Sequence, residues 1–151
     1  MLRSGQWSQE YFDKYRIESD PRLLSEVARH MLPLIPPQTD VLAGLELGGI
    51  PLATALSLQS EIPVVFVRKK PKNYGTCRAV EGLSSLRGKY VLVVEDVITT
   101  GGQVLESVRE LRKEGAHIVG ILCMILRGSG DQIRSEGLML RSLFRMEDVK
   151  K

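Results

Sequence analysis

The sequence has little of several residue types that carry common kinds of chemistry or targeting. Of its 151 residues, two are cysteine, two are histidine and only 5% are aromatic. No stretch approaches the roughly 18 apolar residues that a membrane-spanning helix needs. The first residues also lack the apolar centre of a signal peptide. We therefore expect no membrane association.

The cysteines and histidines lie in settings that do not suggest disulfides, metal sites or covalent catalysis. Cys77 lies in a polar segment and Cys123 in an apolar one, so both are expected to be free thiols. Free thiols are typical of a reducing compartment, which predicts a cytoplasmic location. His30 and His117 have no Cys, His or Asp partner at metal-binding spacing. No Ser–His–Asp or Cys–His arrangement is apparent, which disfavours a covalent nucleophile.

The overall composition favours one globular domain that binds an anionic small molecule. The net charge is +3 and the pI is near 9.0, which is only mildly basic. Proteins that bind nucleic acid usually present a denser basic face, so we expect no nucleic-acid partner. The hydrophobic fraction of 43% and the charged fraction of 26% are ordinary for a domain with a substantial core.

Apolar strand patterns alternate with helical patterns along the chain. Strands are expected at residues 40–45, 64–67, 90–94, 118–126 and 138–144. Helices are expected from Asp20, an N-cap followed by Pro21, and at residues 50–59 and 103–114. This alternation predicts an α/β fold with a doubly wound, mostly parallel sheet and right-handed crossovers.

The segment 90–103 is the most informative part of the sequence. An apolar strand leads into Glu95 and Asp96, and then into the small residues of Thr99–Gln103 at the start of a helix. Open α/β sheets bind ligands at the carboxyl ends of their strands, and helix amino termini bind phosphate. Neighbours on a strand point to opposite faces, so the two acids are expected to reach different ribose hydroxyls, or one hydroxyl and a magnesium-bound water. The segment predicts a site for a sugar phosphate.

Two further features can be interpreted either as ordinary structural or solvent-exposed residues or as functional ones. Residues 68–87 form a long polar segment that carries Arg68, Lys69, Lys70 and Lys72. It is either a solvated charged face or a mobile loop that captures a polyanion such as pyrophosphate, and we weight these equally. Arg127 ends an apolar strand at the same expected sheet edge as Asp96. It is either structural or able to bind a substrate carboxylate.

The motifs together resemble the type I phosphoribosyltransferases, and among them the orotate phosphoribosyltransferases. Residues 93–102 are similar to the family's signature for phosphoribosyl pyrophosphate (PRPP). Residues 42–51 resemble its pyrophosphate loop and residues 67–76 its catalytic loop. Residues 4–5 and 11–13 resemble its N-terminal substrate segment and residues 140–144 its closing strand. The resemblance covers nearly the whole chain.

The resemblance implies transfer of ribose 5-phosphate from PRPP to orotate in pyrimidine synthesis, with Mg²⁺ bound through PRPP and water and without a direct protein ligand. It implies catalytic roles for Lys69, Lys72, Glu95 and Asp96. The implied PRPP-binding residues are Arg3, Arg68, Lys69, Lys72, Tyr74, Glu95, Asp96, Val97, Ile98, Thr99, Thr100, Gly101, Gly102 and Gln103. The pyrophosphate loop would include Leu47 and Gly48, and orotate would contact Tyr11, Phe12, Thr99 and Arg127.

The resemblance also implies an organisation. The chain would be a single domain over residues 1–151, with a core at about 20–130 and a small hood from 1–19 and 131–151. It would form a homodimer with shared active sites, in which some loop cations reach the partner's site. Alternatives are a PRPP-binding regulator, a non-catalytic scaffold, or a phosphoribosyltransferase for another nucleobase.

The sequence departs from the family pattern at three places. Many members have His where this chain has Tyr74, and some have Lys where it has Gly48. The chain also begins almost at the segment 4–5, without the N-terminal helix common in the family. We expect this to leave the base pocket or the dimer surface less covered.

Overall fold

Six strands form the centre of the protein, as seen in a computed structural model that describes residues 13–71, 73–75 and 77–149. The strands are β1 Val41–Leu45, β2 Val64–Val67, β3 Val80–Glu81, β4 Tyr90–Ile98, β5 His117–Leu126 and β6 Leu140–Arg145. They form one sheet in the order β3-β2-β1-β4-β5-β6. Only β2 and β3 pair antiparallel, so the predicted mostly parallel α/β sheet is confirmed.

Among the described residues, six helices connect or flank the strands. They are α1 Lys14–Ser19, α2 Pro21–Met31, α3 Gly49–Ser60, α4 Gly102–Lys113, α5 Asp131–Ser135 and α6 Met146–Val149, with a 3₁₀ turn at Leu32–Leu34. The Asp20 carboxylate accepts hydrogen bonds from the backbone N–H groups of Arg22 and Leu23, as its N-cap position predicts. The short helices α1, α5 and α6 were not predicted. No helix within the described ranges has the length and apolar character to cross a membrane.

Apolar side chains pack on both faces of the sheet. In β4, Val91 and Val93 belong to the cluster that includes Val108 and Leu111 of α4. The intervening Leu92 and Val94 belong to a second cluster, on the side of α2 and α3. Burial on both faces explains the nearly continuous apolar run of this strand.

Strand β4 extends beyond its predicted end. Its pairing with β1 stops at Gly44 and Val94, but its pairing with β5 continues to Ile98 and Leu126. Glu95 and Asp96 therefore lie inside β4, whereas we had expected them just after it. The edge of β4 next to β1 becomes free at Glu95, which opens space for a site.

The basic segment 68–87 is partly tied to the sheet. Val80 and Glu81 pair antiparallel with β2, and the side chains of Val80 and Leu86 are buried. The prediction of one uninterrupted loop was therefore wrong for the second half of the segment. Two strand residues and the buried side chain of Leu86 attach that half to the rest of the domain. The only strand in this segment among the described residues is Val80–Glu81, so the residues on either side of that pair have no strand.

Candidate active site

Glu95 faces a cavity of about 490 Å³ beside the free edge of β4. Its Oε1 accepts a hydrogen bond of 2.9 Å from the backbone N–H of Asp96. Burial, with the neighbouring Asp96 charge as the second cause, raises the pKa of Glu95 to about 8. The polar residues that line this cavity are Glu46, Arg68, Lys69, Lys70, Glu95, Gln103, Glu106, Ser107, Arg109, Glu110 and Lys113.

Asp96 is almost fully buried, with 2% of its surface exposed. Its Oδ1 accepts a hydrogen bond of 2.6 Å from the backbone N–H of Val97. Its Oδ2 lies 2.9 Å from Nζ of Lys14 in α1, an ion pair whose angles are not those of a hydrogen bond. Asp96 does not line the cavity that Glu95 faces, which agrees with neighbours on a strand pointing to opposite faces.

The loop after β1 passes directly against these acids. A Cβ atom on Gly48 would lie 1.7 Å from Oδ2 of Asp96, so the close approach requires glycine. The Oε1 atom of Glu46 accepts a hydrogen bond of 2.8 Å from the backbone N–H of Lys69. Leu47, between them, is exposed. This loop therefore contacts Asp96 and also holds the start of the basic segment.

The turn between β4 and α4 presents an uncapped helix amino terminus. Thr99 and Thr100 are exposed, and Gly101 has a φ of 101°, which favours glycine. No side chain in the described part of the chain caps the start of α4, and the first turn of this helix has no acidic residue. The backbone N–H groups that begin at Gly102 and Gln103 are thus suited to an anion.

The turns after β4 and β5 are joined by hydrogen bonds. The backbone N–H of Arg127 donates to the Ile98 carbonyl at 2.7 Å, and that of Gly130 donates to Thr99 at 3.0 Å. Arg127 is exposed and lines a second cavity, of about 350 Å³, with Arg134 and Arg145. The structure thus brings Thr99 and Arg127 to one edge of the sheet, as predicted.

The other predicted site residues differ in their contacts and in their exposure to solvent. Arg68 donates through Nε and Nη2 to Oε2 of Glu81, at 3.2 and 3.1 Å. Tyr74 is exposed. The side chain of Ile98 lies in one core cluster and that of Val97 packs against the other, and both side chains are apolar, so the polar groups that these residues can offer a ligand are backbone groups. The predicted residues Arg3, Tyr11, Phe12 and Lys72 lie outside the described residues.

Sequence reasoning missed Glu46 and two residues of α1, Lys14 and Glu18. Lys14 is about one-third exposed. Burial alone would lower its pKa, but the Asp96 carboxylate outweighs burial and the pKa lies above its ordinary value. Glu18 is 9% exposed, and neither of its carboxyl oxygens has a hydrogen-bond partner in the described part of the chain. Burial, followed by the Asp96 charge, raises the pKa of Glu18 to about 8. Lys14 and Glu18 are spaced one helical turn apart in the sequence, and this spacing could have indicated that both side chains lie on the same face of a helix.

Possible metal ligands and free thiols both occur in the described ranges. No three His, Cys, Asp or Glu side chains in the described ranges are grouped so that they could hold a metal ion. Cys77 and Cys123 are both free thiols, as predicted. Burial, with the nearby acids, raises the pKa of Cys123 to about 12, so this thiol is not poised to ionise.

Comparisons with known proteins agree with this arrangement. The model of the phosphoribosyl transferase domain matches residues 16–138. An orotate phosphoribosyltransferase of a Nocardioides species is 52% identical over 150 residues, which covers 98% of this chain and 83% of that protein.

Solved structures give the same result. The orotate phosphoribosyltransferase of Aeropyrum pernix superposes with a TM-score of 0.80 at 29% identity, covering 92% of this chain and 80% of that one. The Mycobacterium tuberculosis enzyme in complex with PRPP has a TM-score of 0.77 at 32% identity, covering 93% and 84%. The family match, the identity over nearly the whole chain and the shared fold show that this chain belongs to the orotate phosphoribosyltransferases of the phosphoribosyltransferase family.

Proposed function

We propose that this protein transfers the ribose 5-phosphate group of PRPP to orotate, giving orotidine 5′-monophosphate and pyrophosphate. The observation that carries this proposal is the meeting of three elements at the free edge of β4. These are the acids Glu95 and Asp96, the glycine loop that contacts Asp96, and the uncapped start of α4. Acids suit ribose hydroxyls and backbone amides suit a phosphate.

The reaction requires charge stabilisation more than a protein nucleophile. A bond forms between the anomeric carbon and the ring nitrogen of orotate as the bond to the pyrophosphate oxygen breaks. The electron pair of the broken bond leaves with pyrophosphate, and the ring N–H proton is released to solvent. Positive charge builds on the ribose and negative charge on the leaving group, so positioned charges lower the barrier.

The ribose 5-phosphate part would lie between the two acids and the following turn. Asp96 and Glu95 would hold the ribose hydroxyls from opposite faces of β4. Because burial and the neighbouring Asp96 charge raise the pKa of Glu95, this group keeps its proton to a higher pH than an ordinary glutamate, and in that form it can donate as well as accept a hydrogen bond. Thr99, Thr100 and the backbone of the turn 99–103 would bind the 5′-phosphate.

The pyrophosphate part would face the basic segment across the 490 Å³ cavity. Lys69 lines this cavity and would stabilise the leaving group, together with Lys72 and Arg3. Arg68 is paired with Glu81 and would contribute its charge from a fixed place. Leu47 and Gly48 would offer backbone groups, and Tyr74 would stand where many relatives use an imidazole.

Orotate would lie at the joined turns after β4 and β5. Arg127 is exposed there and can form two parallel hydrogen bonds to the orotate carboxylate. Thr99 is attached to the same turn through Gly130. Tyr11 and Phe12 would cover the ring.

Magnesium would enter with the substrate. Mg²⁺ keeps several waters and commonly binds through substrate phosphates, so it requires no protein cage. Bound in this way, it would neutralise charge that develops on the leaving pyrophosphate.

We also propose a homodimer with shared sites, by analogy with the family, and a cytoplasmic location, which the two free thiols support.

An assay of purified protein with PRPP, Mg²⁺ and orotate tests the function. We expect orotate to be consumed and pyrophosphate to be released in equal amounts. Consumption of another nucleobase in place of orotate would move the protein to a different specificity within the family. PRPP binding without turnover of any nucleobase would contradict the enzymatic proposal.

A further inference from the structure

Lys14 places an ammonium group on the most deeply buried acid of the site. The Nζ–Oδ2 distance to Asp96 is 2.9 Å, and 3% of the Asp96 side chain is exposed. A buried carboxylate without a partner is costly, so the Lys14 charge stabilises Asp96. Lys14 therefore lies directly beside the acid proposed to bind ribose.

The loop after β1 leaves no room at position 48 for a side chain that could place a positive charge beside Asp96. A side chain at position 48 would overlap Oδ2, since even its Cβ atom would lie 1.7 Å away. The loop thus covers one side of the carboxylate and Lys14 covers another. Oδ1 is already engaged by the Val97 amide.

Lys14 has hydrogen-bonding capacity that Asp96 does not use. An ammonium group carries three donors, and the side chain is one-third exposed. A hydroxyl group both donates and accepts. Because Lys14 and the glycine loop cover Oδ2, a hydroxyl can donate to the carboxylate once one of them shifts, and a neighbouring oxygen can then accept from the ammonium group. A vicinal diol such as that of ribose matches this pair of charges.

We propose that Lys14 is a ribose-binding residue, and that the Lys14–Asp96 pair recognises the two hydroxyls of ribose as one donor and acceptor unit. This inference rests on the proposed function for the location of the ribose. It assigns to α1 a direct part in substrate selection. The pair binds sugar, whereas the turn 99–103 binds phosphate.

Glu18 is close enough to Asp96 for that charge to affect its ionisation, and it lies one helical turn from Lys14. While Glu18 is protonated, it does not compete with Asp96 for the Lys14 charge. The groups that act on the ionisation of Glu18 are Asp96 and Lys14. The ion pair of Lys14 is accordingly with Asp96.

Calorimetric titration with two probes separates sugar binding from phosphate binding. For Lys14→Met, we expect the Kd of ribose 5-phosphate to rise about tenfold, because a hydrogen bond to a charged donor is lost. The Kd of inorganic phosphate should stay within about twofold of the original protein. Lys14→Arg should restore most of the ribose 5-phosphate affinity. Lys89→Met is the matched control, since Lys89 is exposed and precedes the amino end of β4, far from Asp96.

A double-mutant cycle keeps the test decisive if Lys14→Met folds poorly. Asp96→Asn removes the buried charge, so the double variant leaves no unpaired carboxylate. If the pair acts as a unit, adding Lys14→Met to Asp96→Asn should change the ribose 5-phosphate Kd by less than about threefold. Equal weakening of both probes by Lys14→Met, or an unchanged ribose 5-phosphate Kd, would overturn the proposal. None of these readouts depends on turnover of orotate, so they stand apart from the test of the proposed function.

Discussion

Replacing Glu18 with glutamine should make the protein more stable at neutral pH. Glu18 is buried and its carboxyl oxygens have no hydrogen-bond partner in the described part of the chain. Its pKa is about 8, against an ordinary value of 4.5. Glutamine has nearly the same shape as a protonated glutamate and carries no charge, so the variant removes the cost of keeping this group neutral.

The direction follows from proton binding in the two states. In the unfolded chain, Glu18 loses its proton near its ordinary pKa, whereas the folded protein retains the proton up to about pH 8. The favourable contribution to stability is therefore complete below the unfolded pKa and is lost as pH rises toward 8. Multiplying the pKa difference by about 1.4 kcal/mol per pKa unit gives at most about 5 kcal/mol. Local relaxation reduces this value, and we expect a change on the order of 2 kcal/mol or more.

Urea unfolding of both proteins, from about pH 5 to about pH 8, measures the effect. The free energy of unfolding of Glu18→Gln, minus that of the original protein, should increase steadily with pH. Glu95 also has a raised pKa, but it contributes equally to both proteins and cancels in the difference. Glu136→Gln, at an exposed position, is the control and should show no such trend. A difference that stays constant within about 0.5 kcal/mol would refute the burial argument.

Three further predictions concern the site. Gly48→Ala should raise the KM for PRPP at least about tenfold and lower the free energy of unfolding by roughly 1–3 kcal/mol, because the alanine Cβ would overlap the Asp96 carboxylate. Steady-state kinetics measures the first effect and urea unfolding the second. Normal PRPP kinetics would show that the loop shifts freely. Lys72→Ala should reduce turnover far more than it weakens binding of inorganic phosphate, since the lysine is assigned to the leaving group; equal losses in kinetics and calorimetry would exclude that assignment. Arg127→Ala should raise the KM for orotate about tenfold or more and leave the KM for PRPP nearly unchanged, because a paired hydrogen bond to a carboxylate is lost; an unaltered orotate KM would contradict its placement.

The sequence predicted the layers of the fold because they depend on local patterns. The apolar run of β4 and the capping of α2 by Asp20 are both readable from adjacent residues. The end of β4 was misjudged because it depends on β5, whose pairing carries the strand to Ile98. No pattern within residues 90–98 contains that information.

The site was predictable where one segment carries it and was missed where distant segments meet. Glu95, Asp96 and the turn after them are contiguous, so their chemistry could be inferred together. The contact between Lys14 and Asp96 depends on the packing of α1, a six-residue helix with a weak signal. The burial of Glu18 likewise arises from tertiary structure, since its own sequence neighbours are mostly polar.

The hydrogen bond between Glu46 and the Lys69 amide holds the beginning of the basic segment against the loop after β1. Lys69 is fastened at its backbone to the loop after β1, and Arg68 just before it is held by Glu81. The backbone of Lys69 and the side chain of Arg68 are therefore held in fixed places, one by the loop after β1 and the other by β3. Arg68 thus presents its positive charge from a fixed position. A catalyst built in this way can keep part of its electrostatic machinery permanently in place while still admitting substrate and releasing product.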